Sequence, residues 1–416
     1  MSKITKEEAL QYHEFPRAGK LSVETTKRFK DKRDLSLAYT PGVAFACEEI
    51  KNDPQTAYKY TTKRNLVAVI SNGTAVLGLG SIGALASKPV MEGKAVLFKE
   101  FAKVDAFDIE VEEKDVDKLC EIIKAISPTF GGINLEDIKA PACFEIESRL
   151  IDELEIPVMH DDQHGTAIIT SAALINASEL LNIKLEDMKI VVVGAGAAGI
   201  ASANMYKELG VKNIVMIDSK GVINKERVDL NKYKKEFISD CKDINEAFLG
   251  ANMVLGLSKP NSFTVEHIKL MTNEPIVFTL ANPTPEVFPE DVRAVKPDAI
   301  IGTGRSDYLN QVNNVLGFPF IFRGALDVQA RKINMPMKIA AANAIAALAK
   351  EPIEDDIKAI FGDLKYGKDY IIPTPFDKRL YIEVSSAVAK SAIDTKVARV
   401  KDFDIEKYKE ELRASL

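Results

Sequence analysis

The apolar residues in the first part of the chain occur in short runs separated by amphipathic stretches. LVAVIS begins at Leu66, AVLGLG and AFDIEV follow it, and TFGGI comes after a stretch with helical periodicity over residues 115–126. Short runs of this kind are typical of buried strands, whereas a repeat of about 3.6 residues is typical of helices. The pattern therefore predicts a mixed α/β domain with strands at these runs.

The same rhythm restarts after IPVMHDD. We expect a helix over residues 165–181, and KIVVVGAGAAGIASANMYKELGVKNIVMID then predicts a strand, a glycine turn, a helix and a second strand. That order is one complete βαβ unit. Further strands are expected at MVLGL, IVFTL and AIIGT. The second part of the chain therefore predicts a Rossmann-like, doubly wound parallel sheet.

The pattern divides the chain into two domains and a tail. We expect a mixed α/β domain over residues 1–160, a Rossmann-like domain over residues 161–385 and a helical segment over residues 386–416. The 416 residues suit this division, because domains commonly contain roughly 100–200 residues. NMPMKIAAANAIAALAK is the clearest helix in the carboxy-terminal part.

Composition and charge exclude several classes of protein. Hydrophobic residues make up 46% of the chain and charged residues 28%, which is ordinary for a folded protein. A formal charge of −6 gives no sign of a basic surface for nucleic acid. No run reaches the ~20 apolar residues of a membrane span, and the amino terminus lacks a signal-peptide pattern. We expect neither a nucleic-acid nor a membrane partner.

The four cysteines lie far apart in the sequence, at Cys47, Cys120, Cys143 and Cys241. They form neither a CxxC metal motif nor a recognisable disulfide framework. This usage fits a reducing compartment. We therefore expect a cytoplasmic protein.

The motif GxGxxG occurs twice, and its second copy has the context of a dinucleotide-binding turn. It follows the run KIVVV and precedes small residues with helical character. Glycines in such a turn allow a tight bend, close backbone approach to a pyrophosphate and helix–strand packing. A tight turn without a cofactor is the alternative. The residues predicted to bind the cofactor here are Gly194, Ala195, Gly196, Ala197, Ala198 and Gly199.

Asp218 follows the second glycine motif, 19 residues after Gly199. An acidic residue at this place can accept hydrogen bonds from the adenosine ribose and repel a 2′-phosphate, which favours NAD over NADP. Ser219 and Lys220 could instead turn toward a phosphate. We predict that Asp218 contacts the cofactor, with NAD favoured and NADP left open.

The first copy of the motif, at Gly78, Gly80 and Gly83, has a weaker context. Pro89 and Gly93 fall within the stretch that should form its helix, and we expect them to interrupt it. We therefore do not expect this copy to bind the cofactor.

Two acidic doublets stand in apolar or glycine-bearing surroundings, Glu136-Asp137 after TFGGINL and Asp161-Asp162 after IPVMH. Mg²⁺ and Mn²⁺ prefer carboxylate oxygens. Neighbours on a strand face opposite ways, so Glu136 and Asp137 can share an ion only if the chain turns there. Helix capping by both doublets is the alternative. A transition-metal site could also form at the flanking histidines, His160 and His164.

Lys94 and Tyr39 each allow two interpretations. Lys94 lies in KPVMEGKAVLFK just before an apolar segment. A buried lysine beside a cation has a lowered pKa and suits a general base, but the ammonium could also reach solvent past apolar neighbours. Tyr39, in SLAYTPGVA, could be an ordinary packed tyrosine.

Taken together, seven segments resemble signatures of the malic enzyme family in its short prokaryotic form, in the family's order and over residues 12–388. They are LSLAYTPGVA, GTAVLGLGSIGALASKPVMEGKAVLFK, INLEDI, VMHDDQHGTA, VVVGAGAAGIA, FTLANPTPE and the NN pair in QVNNVLGFPFIFRGALD. The resemblance implies that Tyr39 is a general acid, that Lys94 is a general base in contact with substrate, and that Asp161 assists them. It implies metal binding by Glu136, Asp137 and Asp162.

The resemblance also implies that Asn282 and Asn314 hold the substrate carboxylate and the nicotinamide. In larger family members, an arginine in the loop before the first glycine motif binds the malate carboxylate. This chain has Ala75 at that place. The group that replaces the arginine stays open. We expect no acyltransferase-like carboxy-terminal extension. A homodimer is expected, with Tyr39 near or across the boundary between subunits.

The function implied is oxidative decarboxylation of (S)-malate to pyruvate and CO2 with NAD(P)⁺ and Mg²⁺ or Mn²⁺, with oxaloacetate decarboxylation as a side activity. One alternative is a malolactic enzyme, which converts malate to lactate with bound NAD. Others are a metal-free oxidoreductase resembling amino-acid dehydrogenases, and a nucleotide-sensing protein without catalysis.

Overall fold

One parallel and one mostly parallel β-sheet form the core of the computed structural model, which describes residues 4–416. The first three residues of the predicted 1–160 domain lie outside the described part. The first sheet contains β1 (Leu66–Ser71), β2 (Asp105–Glu110), β3 (Gly132–Leu135) and β4 (Val158–His160). These strands are all parallel, in the order β2-β1-β3-β4. Residues that follow β1, β3 and β4 therefore meet at one edge.

Seven helices precede or flank the first sheet within the described residues. They are α1 (Lys6–Glu14), α2 (Lys32–Ala38), α3 (Val43–Asn52), α4 (Ala57–Tyr60), α5 (Ala84–Ala102), α6 (Val116–Ile126) and α7 (Ala142–Glu153). Helices α1, α2 and α3 contain no buried residue. They therefore add nothing to the core of this chain, although they carry large apolar side chains.

The second sheet contains β5 (Lys189–Val193), β6 (Asn213–Asp218), β7 (Gly221–Val222), β8 (Met253–Gly256), β9 (Ile276–Thr279) and β10 (Ile300–Thr303). Its order is β10-β9-β8-β5-β6-β7, and only β7 pairs antiparallel. The chain crosses from β6 on one side of β5 to β8 on the other. A doubly wound sheet binds its ligand at the carboxyl ends of the strands beside such a reversal. The predicted α/β class is confirmed.

The remaining helices cover the second sheet and join it to the first. They are α8 (Asp161–Leu180), α9 (Ala197–Glu208), α10 (Lys232–Lys235), α11 (Ile244–Phe248), α12 (Val265–Lys269), α13 (Pro289–Val295), α14 (Phe318–Asp327), α15 (Met335–Leu348), α16 (Asp355–Phe361), α17 (Arg379–Asp394) and α18 (Ile405–Ser415). One apolar core contains residues of both sheets, such as Val67 and Ile190. Among residues 4–416, no helix has the length and apolar character needed to cross a bilayer.

Three local predictions were wrong. AVLGLG forms a short 3₁₀ turn at Leu77–Leu79 and not a strand, because Gly80 takes a φ of +76° that ends regular structure. Helix α5 runs through Pro89 and Gly93 without interruption, since buried Met91 and Phe98 anchor it in the core. Helix α8 begins at Asp161, four residues earlier than expected.

Candidate active site and metal centre

Three carboxylates converge at the carboxyl edge of the first sheet. Glu136 and Asp137 directly follow β3, and Asp162 lies in the first turn of α8 directly after β4. One oxygen from each side chain lies within 4.8 Å of the others. The chain does turn at this point, because Asp137 has a φ of +55°. The set can offer a hard divalent cation three oxygen ligands.

The backbone reinforces this arrangement. The Asp137 amide donates a hydrogen bond to Asp162 Oδ2 at 2.8 Å, which joins the two doublets directly. The Ala75 amide donates to the Asp137 carbonyl at 2.9 Å. Ala75 therefore borders the cluster. Neither doublet caps a helix, because α7 begins after Pro141 and α8 after His160, both without a side-chain cap.

Lys94 projects from α5 into the same place and is largely buried. Its ammonium lies 2.6 Å from Asp161 Oδ2 and 2.8 Å from Glu136 Oε1, and 4.2 Å from the centre of the Phe318 ring. Burial lowers the pKa of Lys94, but Asp161 and Glu136 together raise it above its ordinary value. Lys94 therefore stands as a cation between the two doublets.

Asp161 is fully buried and depends on a glycine one turn further along α8. A Cβ at Gly165 would lie 2.1 Å from Asp161 Oδ1 and 2.9 Å from Asn314 Nδ2. Asn314 donates to Asp161 Oδ2 at 3.1 Å and accepts from Thr166 at 3.2 Å. The structure thus brings Asn314 to Asp161, and Gly165 provides the necessary space.

The two histidines beside the second doublet both contact Glu147, and the His160 ring also lies beside the cluster, with Nδ1 3.7 Å from Asp162 Oδ2. Glu147 on α7 accepts from the His160 amide at 2.8 Å and contacts His164 Nε2 at 2.9 Å. Burial raises the pKa of Glu147, but His164 and Lys338 outweigh it and hold the pKa at about 2. Sequence reasoning missed Glu147. Its position on the apolar face of α7, beside buried Cys143, Ile146 and Leu150, is the signal that could have revealed it.

Tyr39 is the one predicted catalytic residue that the described contacts do not bring to Lys94. It follows α2 and is 69% exposed, and no hydrogen bond of its hydroxyl is found among residues 4–416. The exposed apolar residues around it in the sequence are Leu35, Leu37, Val43 and Phe45. Within one chain, the site therefore contains the lysine and acids without the tyrosine.

The second glycine motif has the geometry of a pyrophosphate turn. Gly194 has a φ of +123°, and a Cβ there would lie 2.4 Å from the Leu257 carbonyl oxygen. A Cβ at Gly199 would lie 1.8 Å from the Gly194 carbonyl oxygen, whereas nothing lies within 4 Å of one at Gly196. The first and third glycines are thus required by packing, and the second leaves space at the amino end of α9. These residues fit a bound dinucleotide.

Asp218 lies at the carboxyl end of β6 but is already paired. Arg227 contacts both of its carboxylate oxygens at 3.0 Å, and Lys234 contacts one at 2.6 Å. Burial raises the pKa of Asp218, but these partners outweigh it and lower the pKa to about 2. Sequence reasoning missed Arg227 and Lys234, which lie in a polar connection with no motif.

Asn282 lies three residues after the end of β9 at Thr279. A Cβ at Gly78 would lie 2.8 Å from the Asn282 carbonyl oxygen, and one at Gly304 would lie 2.7 Å from Asn282 Nδ2. The loop of the first glycine motif therefore packs on the Asn282 turn. This contact connects the first sheet to the carboxyl edge of the second.

The fold and site together define an α/β protein with a carboxylate cluster at the edge of its first sheet and a Rossmann-type second sheet. Residues 18–115 and 110–151 match the family model "Malic enzyme, N-terminal domain". Residues 163–366 match the model "Malic enzyme, NAD binding domain". The chain belongs to the malic enzyme family.

Curated relatives support this assignment at high identity. A "Probable NADP-dependent malic enzyme" of Rickettsia prowazekii is 55% identical over 100% of this chain, which spans only 55% of that relative. An "NAD-dependent malic enzyme" of Rhizobium meliloti is 52% identical over 96% of this chain and 53% of its own length. A "Bifunctional malic/malolactic enzyme" of Bacillus subtilis is 50% identical over 95% of both chains.

Solved structures agree with the fold. A malic enzyme from Pyrococcus horikoshii has a TM-score of 0.90 and 41% identity, and the match covers 98% of this chain and 95% of that one. The chain spans about half the length of several of the curated relatives it matches.

Proposed function

We propose that the chain oxidises (S)-malate and releases CO2 to form pyruvate, with reduction of NAD(P)⁺ and a requirement for Mg²⁺ or Mn²⁺. The observation that carries this proposal is the position of Lys94, 2.6 Å from Asp161 and 2.8 Å from Glu136 beside three clustered carboxylates. A proton acceptor beside a divalent-cation site suits removal of a hydroxyl proton from an α-hydroxy acid.

Each predicted residue receives a role in this proposal. Glu136, Asp137 and Asp162 would hold the cation, which supplies positive charge that stabilises negative charge on a neighbouring substrate oxygen. The turn from Gly194 to Gly199 would hold the dinucleotide, whose nicotinamide accepts a hydride. Residues 1–160 would thus carry Lys94 and two of the metal ligands, and residues 161–385 the third ligand, Asp162, and the cofactor. The tail at 386–416 begins within α17.

Lys94 and Tyr39 would handle the protons. A divalent cation held by the three carboxylates would add positive charge beside Lys94 and favour loss of its proton. The neutral amine would then accept the C2 hydroxyl proton as hydride leaves C2 for the nicotinamide. The keto acid then loses its C4 carboxylate as CO2, and the electron pair of the broken bond passes into the enolate. Tyr39 protonates C3, and Lys94 returns the first proton to Tyr39. Malate and NAD(P)⁺ are converted to pyruvate, CO2 and NAD(P)H, and no proton is gained or lost.

Two asparagines and Asp161 would orient the reactants. Asp161 fixes Lys94 and receives a hydrogen bond from Asn314 at 3.1 Å, so Asn314 would act beside the substrate. Asn282 stands on the turn that packs on the Gly78 loop, which suits contact with substrate carboxylate or nicotinamide. Decarboxylation of added oxaloacetate would use the same residues without hydride transfer.

The proposed enzyme is a homodimer in which Tyr39 completes the partner's site. Helices α1, α2 and α3 bury no residue within one chain, yet Leu35, Leu37 and Phe45 expose apolar surface near Tyr39. Contiguous exposed apolar surface marks an interface. A second subunit would cover these residues and bring Tyr39 to a lysine. The four free cysteines are compatible with the proposed cytoplasmic location.

A malolactic reaction is the second candidate, because the Bacillus subtilis relative carries both names. The metal-free alternative is disfavoured by the carboxylate cluster. The deciding experiment incubates the full chain with malate, Mn²⁺ and either NAD⁺ or NADP⁺, and measures absorbance of reduced cofactor, pyruvate and lactate. Pyruvate in equal amount to reduced cofactor supports the proposal. Lactate without net cofactor reduction would replace it with the malolactic reaction.

A further inference from the structure

Glu147 lies on α7, outside the carboxylate cluster, and contacts both sides of the turn that carries the second acidic doublet. Its Oε1 accepts a hydrogen bond from the His160 amide at 2.8 Å, and its Oε2 lies 2.9 Å from His164 Nε2. Asp161 and Asp162 lie between these two contacts in the sequence. Building on the metal-dependent function proposed above, we propose that Glu147 is a positioning residue that holds Asp162 in place for the divalent cation.

The first contact replaces a missing helix cap. Helix α8 begins at Asp161, and His160 at its amino end provides no side-chain hydrogen bond to the first turn. The first N–H groups of a helix have no partner within the helix. Glu147 satisfies the His160 amide from another helix, and a negative charge at this end also interacts favourably with the helix dipole. Glu147 therefore fixes the point at which the first turn of α8 begins.

The second contact fixes the other end of the same turn. Against the effect of burial, His164 and Lys338 hold the pKa of Glu147 at about 2, so its carboxylate is ionised at neutral pH and can only accept hydrogen bonds. His164 Nε2 must therefore be the donor in the 2.9 Å contact. Because one carboxylate holds both His160 and His164, the turn between them cannot slide along α7 without breaking a charge-assisted bond. Asp162 lies in the middle of this turn.

Asp162 is connected to Glu147 through His160. The His160 ring is fully buried, and neither of its nitrogens has a hydrogen-bond partner among residues 4–416. Its Nδ1 lies 3.7 Å from Asp162 Oδ2, the oxygen that also accepts from the Asp137 amide. A buried polar atom without a partner is rare and unfavourable, so a small movement that brings Nδ1 to Asp162 is favoured. Through the His160 amide, Glu147 thus sets the place of the ring that borders this metal ligand.

The test must keep the buried charges in balance. Lys338 on α15 is buried, and burial lowers its pKa to about 8 against the opposing effect of Glu147. Loss of Glu147 alone would leave a buried ammonium without its counter-charge, which is destabilising whatever the role of the lost residue. We therefore compare two variants in a Lys338→Met background. Glu147→Gln keeps an acceptor for the His160 amide, whereas Glu147→Leu removes both contacts.

The experiment is equilibrium binding of Mn²⁺ to the full chain without malate or nucleotide, measured by electron paramagnetic resonance of the free ion. In the Lys338→Met background, Glu147→Leu should bind Mn²⁺ about 10–100-fold more weakly than Glu147→Gln, the usual effect of losing a group that orients a metal ligand. Glu147→Gln should stay close to the wild type. Glu145→Leu is the matched control and should bind as the wild type does, because Glu145 lies on the exposed side of α7.

Hydrogen exchange separates this role from the metal requirement, because it is measured without any ion. The amides of residues 160–164 should exchange faster in Glu147→Leu than in Glu147→Gln. Amides of α9 are the internal reference, because a general loss of stability would speed their exchange as well. Equal affinity for Mn²⁺ in the two variants would overturn the proposal, as would equal exchange. Failure of the wild type to bind Mn²⁺ would instead overturn the metal-dependent function, and the exchange rates would still report whether Glu147 holds the turn.

Discussion

Gly165 and Asp161 lie one helical turn apart in α8, and a side chain at Gly165 would collide with the Asp161 carboxylate, because its Cβ would lie 2.1 Å from Asp161 Oδ1. Asp161 in turn holds Lys94 at 2.6 Å. The orientation of the proposed base therefore depends on the absence of a methyl group one helical turn away. Alanine is otherwise a better helix former than glycine, so helix propensity does not explain Gly165.

Gly165→Ala should reduce kcat on the order of 100-fold, because displacing a reacting group by about 1 Å can have that effect. The variant should remain folded, since alanine is compatible with a helix. Steady-state kinetics and circular dichroism measure the two properties. Gly93→Ala is the control within helix α5, where the new Cβ meets only Lys20 Cε at 3.8 Å. Equal activity of both variants would contradict the importance of Gly165.

Lys94→Ala should abolish malate oxidation, with a loss of roughly 10³-fold or more in kcat, as expected for removal of a general base. It also leaves Glu136 and Asp161 without their shared cation, so the melting temperature should fall. Lys88→Ala is the control on the same helix, because Lys88 pairs with Asp108 away from the cluster. Activity of Lys94→Ala close to that of the control would remove Lys94 from the mechanism.

Tyr39→Phe should slow protonation of enolpyruvate by roughly 10²-fold or more and affect hydride transfer less. Co-expression of Tyr39→Phe with Lys94→Ala tests where Tyr39 acts. If Tyr39 serves the partner's site, a mixed dimer contains one intact site and recovers activity. Separately purified variants that are not mixed provide the baseline. Absence of recovery in a confirmed mixed dimer would place both residues in one subunit.

Removal of metal should inactivate the wild type, and Mn²⁺ or Mg²⁺ should restore it. Mn²⁺ should also raise the melting temperature, since a ligand bound by the folded state stabilises it by mass action. Asp162→Asn should lose both effects because one of three clustered carboxylates is neutralised. Asp240→Asn, on the surface and outside the cluster, should retain both. Full activity of EDTA-treated wild type would contradict the metal requirement.

The sequence predicted those features that depend on neighbouring residues. The strand, glycine turn and second strand from Lys189 to Asp218 are consecutive, so local apolar pattern and turn chemistry identify them. The start of α8 was misplaced because Asp161 and Asp162 resemble helix-capping residues. In the structure they occupy the first turn itself.

Contacts between distant residues could not be predicted from pattern. Lys94 and Asp161 are 67 positions apart and meet only because α5 packs beside the edge where β3 and β4 end. Arg227 and Lys234 lie in an irregular connection, and their pairing with Asp218 depends on how that connection folds back. Family resemblance named the three acids that the structure brings together, but it carried no information about these cations.

Helix α8 has a thermodynamic consequence for ligand binding. Its first residues, Asp161 and Asp162, belong to the acidic site, whereas its later residues pack on α9, the helix that follows Gly196. Any tilt of α8 that accompanies binding at one end must alter the other end. Free energies of binding are reciprocal. If a bound dinucleotide changes the affinity for the cation by some factor, a bound cation must change the affinity for the dinucleotide by the same factor.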